Sequence, residues 1–399
     1  MKYSARGLNR HAQKLQQHRL RTAASAGLLA VFIFSGSLWF VKTHGQKNGQ
    51  EPDKITASGL RIGGCGADGQ KMHHGLDQST VAQLRKLAEY EAVCKEAVAS
   101  GVSIFVNVPT TISGAAQQSK MMADTLKDFA HFNIMPIIFM EPHTDSGAMV
   151  NLQLYQSGGY DGVLNAYFAD LKAQGITDEQ MGLWVPQPEG NTPVWGNSEP
   201  RAFTEIVTRT VTAQKKYFPA SRASILLESK TTLPKSDGTY DSLLPYVRNI
   251  PQGLIDSVGL QGFPAGSAKA TINAVIDPKV YLRADLAIQA AKALKAPEVW
   301  FNTGTFSHFG KNGFEPMDLS PEQRQDMLDT VLEQLQAVKA AGLRPAVHLF
   351  AKDKSLTDEK VDWSYWQPGK AAESPATPVF KTFVHDARKA GVPLWLYDY

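Results

Sequence analysis

The sequence predicts an α/β fold, a (β/α)8 (TIM) barrel preceded by an N-terminal transmembrane helix. Three observations predict it: eight short and nearly uninterrupted apolar runs, amphipathic segments between them, and one nineteen-residue uncharged stretch beside a basic N-terminus. Strands buried on both faces of a parallel sheet lose polar alternation, and amphipathic helices are what covers those faces. At 399 residues, 43% hydrophobic and 20% charged, the chain is long enough to bury a sizeable core.

Residues 1–22 form a basic segment in which Lys2, Arg6, Arg10, Lys14, Arg19 and Arg21 stand without an acid. The uncharged run 23–41 follows, and nineteen residues at helical rise span about 28 Å, close to the thickness of a bilayer's hydrocarbon core. The basic flank keeps the N-terminus cytoplasmic and sends the rest of the chain outward. The run is long and lacks an A-x-A-like cleavage site, so the expectation is an uncleaved signal anchor rather than a removed leader. Residues 42–58, polar and broken by Gly and Pro, read as a linker to the barrel domain, 59–399.

Charge supports this division. Residues 1–50 hold eight of the 41 Lys and Arg and no acid, which leaves 33 bases against 38 acids beyond them. The formal net charge of +3 therefore conceals an acidic exported domain. Nothing in that domain concentrates basic residues on an aromatic face, so a nucleic-acid partner is not expected. The two cysteines, Cys65 and Cys94, both fall in the exported part, where they are either a disulfide or two buried thiols.

The strand candidates are Leu60 to Gly64, Val102 to Val108, Ile134 to Met140, Met181 to Val185, Ala223 to Leu227, Ser257 to Phe263, Glu298 to Phe301 and Arg344 to Phe350. Among the helices the clearest opens on Ser320-Pro321-Glu322-Gln323, a capping box with Pro at the first helical position. Its apolar face runs through Met327, Leu328, Val331, Leu332, Leu335 and Val338 to a stop at Gly342. An open doubly wound sheet is the alternative, but no Gly-rich phosphate loop follows the first strand. A ninth apolar run, Val392 to Tyr397, fits no barrel position in this reading.

The active face of such a barrel lies at the C-terminal ends of its strands. Glu141 and His143 fall there on the third predicted strand, Glu189 and Asn191 on the fourth, Glu228 on the fifth, Gln261 and Phe263 on the sixth, and Asn302 on the seventh. The fourth is the most telling, since Trp184 to Gly196 (WVPQPEGNTPVWG) carries an apolar strand into a glutamate, an amide and an indole. A carboxyl held by a rigid strand end and raised in pKa by Pro188 and its apolar neighbours suits a general acid. Trp195 and Trp363, in polar loops, offer faces on which a pyranose ring stacks, whereas Trp184 and Trp300 read as core. No cofactor or metal site is expected, because His73-His74 cannot present both rings to one ion and no His-x-x-x-His or Cys-x-x-Cys occurs.

These residues carry a resemblance. Pro186-x-x-Glu189-x-Asn191 with Trp195-Gly196 resembles the acid/base motif of glycoside hydrolase family 26, the β-mannanase family. Asp256 to Pro264 is similar to that family's sixth strand, Asn302-Thr303-Gly304 stands where it has Glu-x-Gly, and Phe350 to Lys354 with Asp362-Trp363 is similar to its eighth strand. The resemblance implies a barrel acting on a β-linked polysaccharide or cell-envelope glycan, with Glu189 as acid/base and Asn191, Trp195, Gln261, Phe263, Asn302 and Trp363 around the sugar; His143, read from its strand-end position, joins them as a binding candidate.

The departures are informative. Asn302 replaces the family's nucleophile, and Phe263 replaces the tyrosine that hydrogen-bonds it. A two-carboxylate mechanism then needs Glu228 or Glu141 as the second group, and the separation decides between retention and inversion. Alternatively the amides of Gln261 and Asn302 orient a substrate's own N-acetyl group, or the site binds glycan without cleaving it. A transferase at the envelope is a third class of reading.

Overall fold

In the computed structural model, residues 101–131, 135–144, 148–191, 199–228, 242–262, 282–304, 307–310, 313–316, 321–350 and 378–396 are described, and the alternation of apolar runs and amphipathic stretches becomes an alternation of strands and helices. The order is β1 (Gly101–Asn107), α1 (Ile112–His131), β2 (Met135–Glu141), α2 (Leu152–Gln156), α3 (Asp161–Ala173), β3 (Leu183–Pro186), α4 (Pro200–Tyr217), β4 (Arg222–Glu228) and α5 (Leu244–Val247). It continues with β5 (Ser257–Gln261), α6 (Ala284–Leu294), β6 (Glu298–Gly304), β7 (Ser307–Gly310), β8 (Gly313–Pro316), α7 (Pro321–Ala340), β9 (Arg344–Phe350), α8 (Pro378–Ala390) and β10 (Leu394–Leu396).

Eight of these strands close a parallel barrel in the order β1-β10-β9-β6-β5-β4-β3-β2. Closure rules out the open doubly wound alternative. The seven predicted strands from Val102 onward all appear, each within a few residues of its expected ends. One expectation is corrected: the run from Val392, which fitted no barrel position, contributes β10, which sits between β9 and β1 with Gly101 against Trp395 and His348 against Trp395. Its inward Trp395 is what a three-residue strand needs to hold its place, because an indole buries enough apolar surface to compensate for a short ladder. The antiparallel pair β7 and β8, which the sequence reading did not anticipate, follows β6 on the rim.

The anchor 23–41, the linker 42–58, the predicted strand Leu60 to Gly64, and Cys65 and Cys94 lie outside the described residues. No helix among the described residues is long and apolar enough to cross a membrane.

Side-chain parity explains the two cores. Alternate strand residues point inward, and Ile137, Phe139, Leu183, Val185, Leu226, Trp300, Ala346 and Trp395 fill the barrel. The opposite faces meet the helices, where Trp184 lies edge-on to Tyr167 and Phe168. Trp184 and Trp300 are thus core residues, as the sequence indicated. The Trp300 indole donates to Ser224 Oγ at 2.9 Å, so its one polar atom is satisfied inside the barrel. Gly259 makes room for that ring, since a Cβ there would come within 2.5 Å of it. At the opposite end of the barrel Glu298 binds Arg222, and burial holds its carboxyl above the usual range against the pull of Arg222 and Arg344.

Candidate functional site

The inward parity that buries Phe139, Leu226, Trp300 and Ala346 brings the next inward residues of the same strands to the C-terminal mouth: Glu141, Glu228, Asn302 and His348. Gln261 joins them from β5. Polar side chains therefore roof an apolar interior. They are almost sealed, with Glu141 2%, Glu228 5%, Asn302 1% and His348 0% exposed.

Buried polar groups are costly unless paired, and Glu228, Gln261, Asn302 and His348 pair with one another. Gln261 Nε2 donates to Glu228 Oε2 at 3.1 Å. Asn302 Nδ2 donates to Gln261 Oε1, and His348 Nδ1 meets Asn302 Oδ1 at 2.5 Å. The strand register produces this line, since Glu228 pairs with Gln261, Gln261 with Asn302, and Asn302 with His348. On the other side of the mouth, His143 Nδ1 lies 3.7 Å from Glu141 Oε2. Burial pushes the Glu141 carboxyl above the ordinary glutamate range, and the neighbouring imidazole only partly offsets it.

Between Glu141 and Glu228 lies the turn after β3, which carries Glu189. Its backbone is fastened on both sides: Gln187 N donates to Met140 O at 2.8 Å, and Glu189 N donates to Leu226 O at 2.9 Å. Asn191 completes the clamp, its Oδ1 accepting from Glu228 N at 2.7 Å and its Nδ2 donating to Glu228 O at 3.1 Å. Asn191, expected to hold sugar, thus spends its amide on the backbone of a neighbouring carboxylate residue.

Two residues of this turn, Gln187 at φ 48° and Glu189 at φ 53°, adopt the left-handed conformation that side chains with a Cβ avoid. The Gln187 side chain is buried, and its amide has no hydrogen-bond partner among the described residues. Glu189, by contrast, is half-buried, which leaves it the most accessible of the three carboxylates.

The structure therefore brings together Glu141, His143, Glu189, Asn191, Glu228, Gln261 and Asn302 of the expected residues. Trp195, Phe263 and Trp363 lie outside the described residues. His348 is the residue that sequence reading missed. Its signal was a lone polar side chain inside the apolar run RPAVHLF, two residues before the end of the strand.

No protein-family model matches the chain, and no curated protein matches it. Among solved structures, the chain is similar to a double mutant of the Cellulomonas fimi endo-β-1,4-mannanase, at 14% identity and a TM-score of 0.47 over 73% of this chain and 65% of that one. It is also similar to the exo-β-1,4-mannosidase of Opitutaceae bacterium strain TAV5, at 13% identity and a TM-score of 0.45 over 73% of this chain and 53% of that one. The β-glucosidase of Thermotoga maritima matches at 11% identity and a TM-score of 0.47, over 76% of this chain and 86% of that one. The match spans less than two thirds of the length of the mannanase and of the mannosidase.

Proposed function

We propose that the barrel is a glycoside hydrolase-like domain that cleaves a β-linked polysaccharide, with Glu189 as general acid and Glu228 as the second carboxylate. The observation that carries this reading is the turn at 187–191. Two residues with side chains are kept in a left-handed conformation there, at a cost of about 1 kcal/mol or more each. Strain of this kind persists where the surroundings over-determine it, and here three backbone and side-chain clamps do so around the accessible carboxyl. A fold selected for stability alone would place glycine at both positions.

The division of roles follows from the environments. A general acid must reach the leaving oxygen of a bound chain, and half-buried Glu189 can do so. Glu228 accepts the Gln261 amide N–H, which fixes the orientation of its carboxyl at the end of the neighbouring strand. Both sit at the ends of adjacent strands and are joined by the Asn191 clamp. The amides of Gln261 and Asn302 are tied to each other and to Glu228 and His348, which favours this pair of carboxylates over an N-acetyl-assisted route.

The test is release of reducing ends from a panel of β-linked polysaccharides by the full chain, beside Glu189→Gln. Wild type should hydrolyse at least one, and the variant should be slower by roughly 10²- to 10⁴-fold, the usual worth of a general acid. A variant as active as wild type removes Glu189 from the chemistry.

One observation favours a second reading, a domain that binds glycan without cutting it. The position corresponding to the family's nucleophile holds Asn302, buried and bonded on both sides of its amide. Glycan retention by wild type with no release of ends from any polysaccharide would decide for that reading.

A further inference from the structure

The line of side chains across the barrel mouth has a direction. Glu228, Gln261, Asn302 and His348 stand on the barrel neighbours β4, β5, β6 and β9 and are linked in sequence. A carboxylate oxygen can only accept, so the Gln261 amide must turn its N–H towards Glu228 Oε2. That leaves Gln261 Oε1 as the acceptor on the far side, and Asn302 supplies its Nδ2. Asn302 then presents Oδ1 to His348, whose Nδ1 must carry the proton of that bond. Each amide is oriented by the next, and the imidazole at the end closes the series.

The ring itself is held. Phe139 meets it edge-on at 5.8 Å and 77°, and Trp300 at 6.0 Å and 82°. The two aromatic rings stack with each other at 6.4 Å, forming one wall against the imidazole. Rotating the imidazole would displace them. Reversing the chain would require both amides to flip and the ring to exchange tautomer, and would leave an amide oxygen facing the Glu228 carboxylate. In a buried setting, hydrogen bonds in series also polarise one another.

We infer that His348 is a positioning residue for Glu228: by donating through Nδ1 to Asn302 it fixes the sense of an amide chain that ends on the carboxylate. Asn302 therefore serves as a link, although it stands where a nucleophile would be. The effect on turnover rests on the reading of Glu228 as second carboxylate, whereas the state of the ring does not.

The experiment separates the two. In full-length protein labelled with ¹⁵N-histidine, a long-range proton–nitrogen correlation reports which nitrogen of His348 carries hydrogen, with His348→Asn assigning the resonance. Nδ1 should be protonated in wild type, and a bare Nδ1 would overturn the inference. Gln261→Met cuts the chain with a side chain of similar volume, and a population with bare Nδ1 should appear; an unchanged spectrum would also overturn it. On a hydrolysed polysaccharide, His348→Leu should lower kcat roughly tenfold with KM unchanged, the worth of one hydrogen bond near the reacting groups. His348→Asn, which keeps an N–H near the position of Nδ1, should recover most of that loss, and equal loss in both variants would refute positioning. Failure of wild type to hydrolyse any polysaccharide would instead sink the hydrolase reading and leave the state of the ring as the measure of the chain.

Discussion

Glu189 is a costly residue for its position. At φ 53° a glycine would be relaxed, while any side chain with a Cβ meets the following carbonyl. Glu189→Gly should therefore be more stable than Glu189→Ala by about 1 kcal/mol in urea unfolding, a comparison that isolates the backbone term. Equal stabilities would show that the turn is unstrained. Glu141 makes a different prediction, because burial holds its carboxyl above the ordinary glutamate value. The folded state then keeps a proton that the unfolded chain releases above about pH 4.3. Stability should fall as pH rises from there through the folded value. Glu141→Gln should flatten that decline and be relatively more stable than wild type at neutral pH, as thermal melts across the range would show. An unaltered slope would mean that Glu141 does not carry the linkage.

At the scale of elements, the site is made by a clamp between the turn after β3 and the end of β4. Asn191→Ala removes both side-chain bonds to Glu228 and leaves a buried backbone N–H and C=O without that partner. The expected loss is about 2 to 4 kcal/mol in chemical unfolding, within the range for two buried backbone groups deprived of their bonds. A loss below about 0.5 kcal/mol would show that the amide is replaced at no cost. The elements also show where the sequence was legible. Continuous apolar runs such as Arg344 to Phe350 identified strands because burial on both faces leaves a strong pattern. Pro321, the first helical residue, and Gly342, at φ 79°, mark the two ends of α7, while Ser320 of the expected capping box lies outside the described residues. The run that forms β10 was visible as an apolar stretch but could not be placed, because its role is fixed by distant neighbours on β9 and β1. β7 and β8 were overlooked because four-residue strands are too short to show a pattern beside the longer apolar runs.

For the whole molecule, the barrel places at one mouth residues that are up to 207 positions apart, from Glu141 to His348, as inward parity and register dictate. That placement made the strand-end carboxyls readable from sequence, since each stands where an apolar run stops. The chain of amides was not readable, because it depends on which strands are neighbours and how they are staggered. His348 was hidden for the same reason, and the left-handed turn at Glu189 was hidden because neither Gln187 nor Glu189 is a residue that advertises positive φ. The central claim is that Glu189 protonates a leaving sugar. The most direct measurement compares Glu189→Gln with wild type on a β-linked polysaccharide and on an aryl glycoside of the same sugar whose leaving group needs no proton. Activity should collapse on the polysaccharide and largely survive on the aryl glycoside, whereas equal loss on both substrates would contradict an acid role for Glu189.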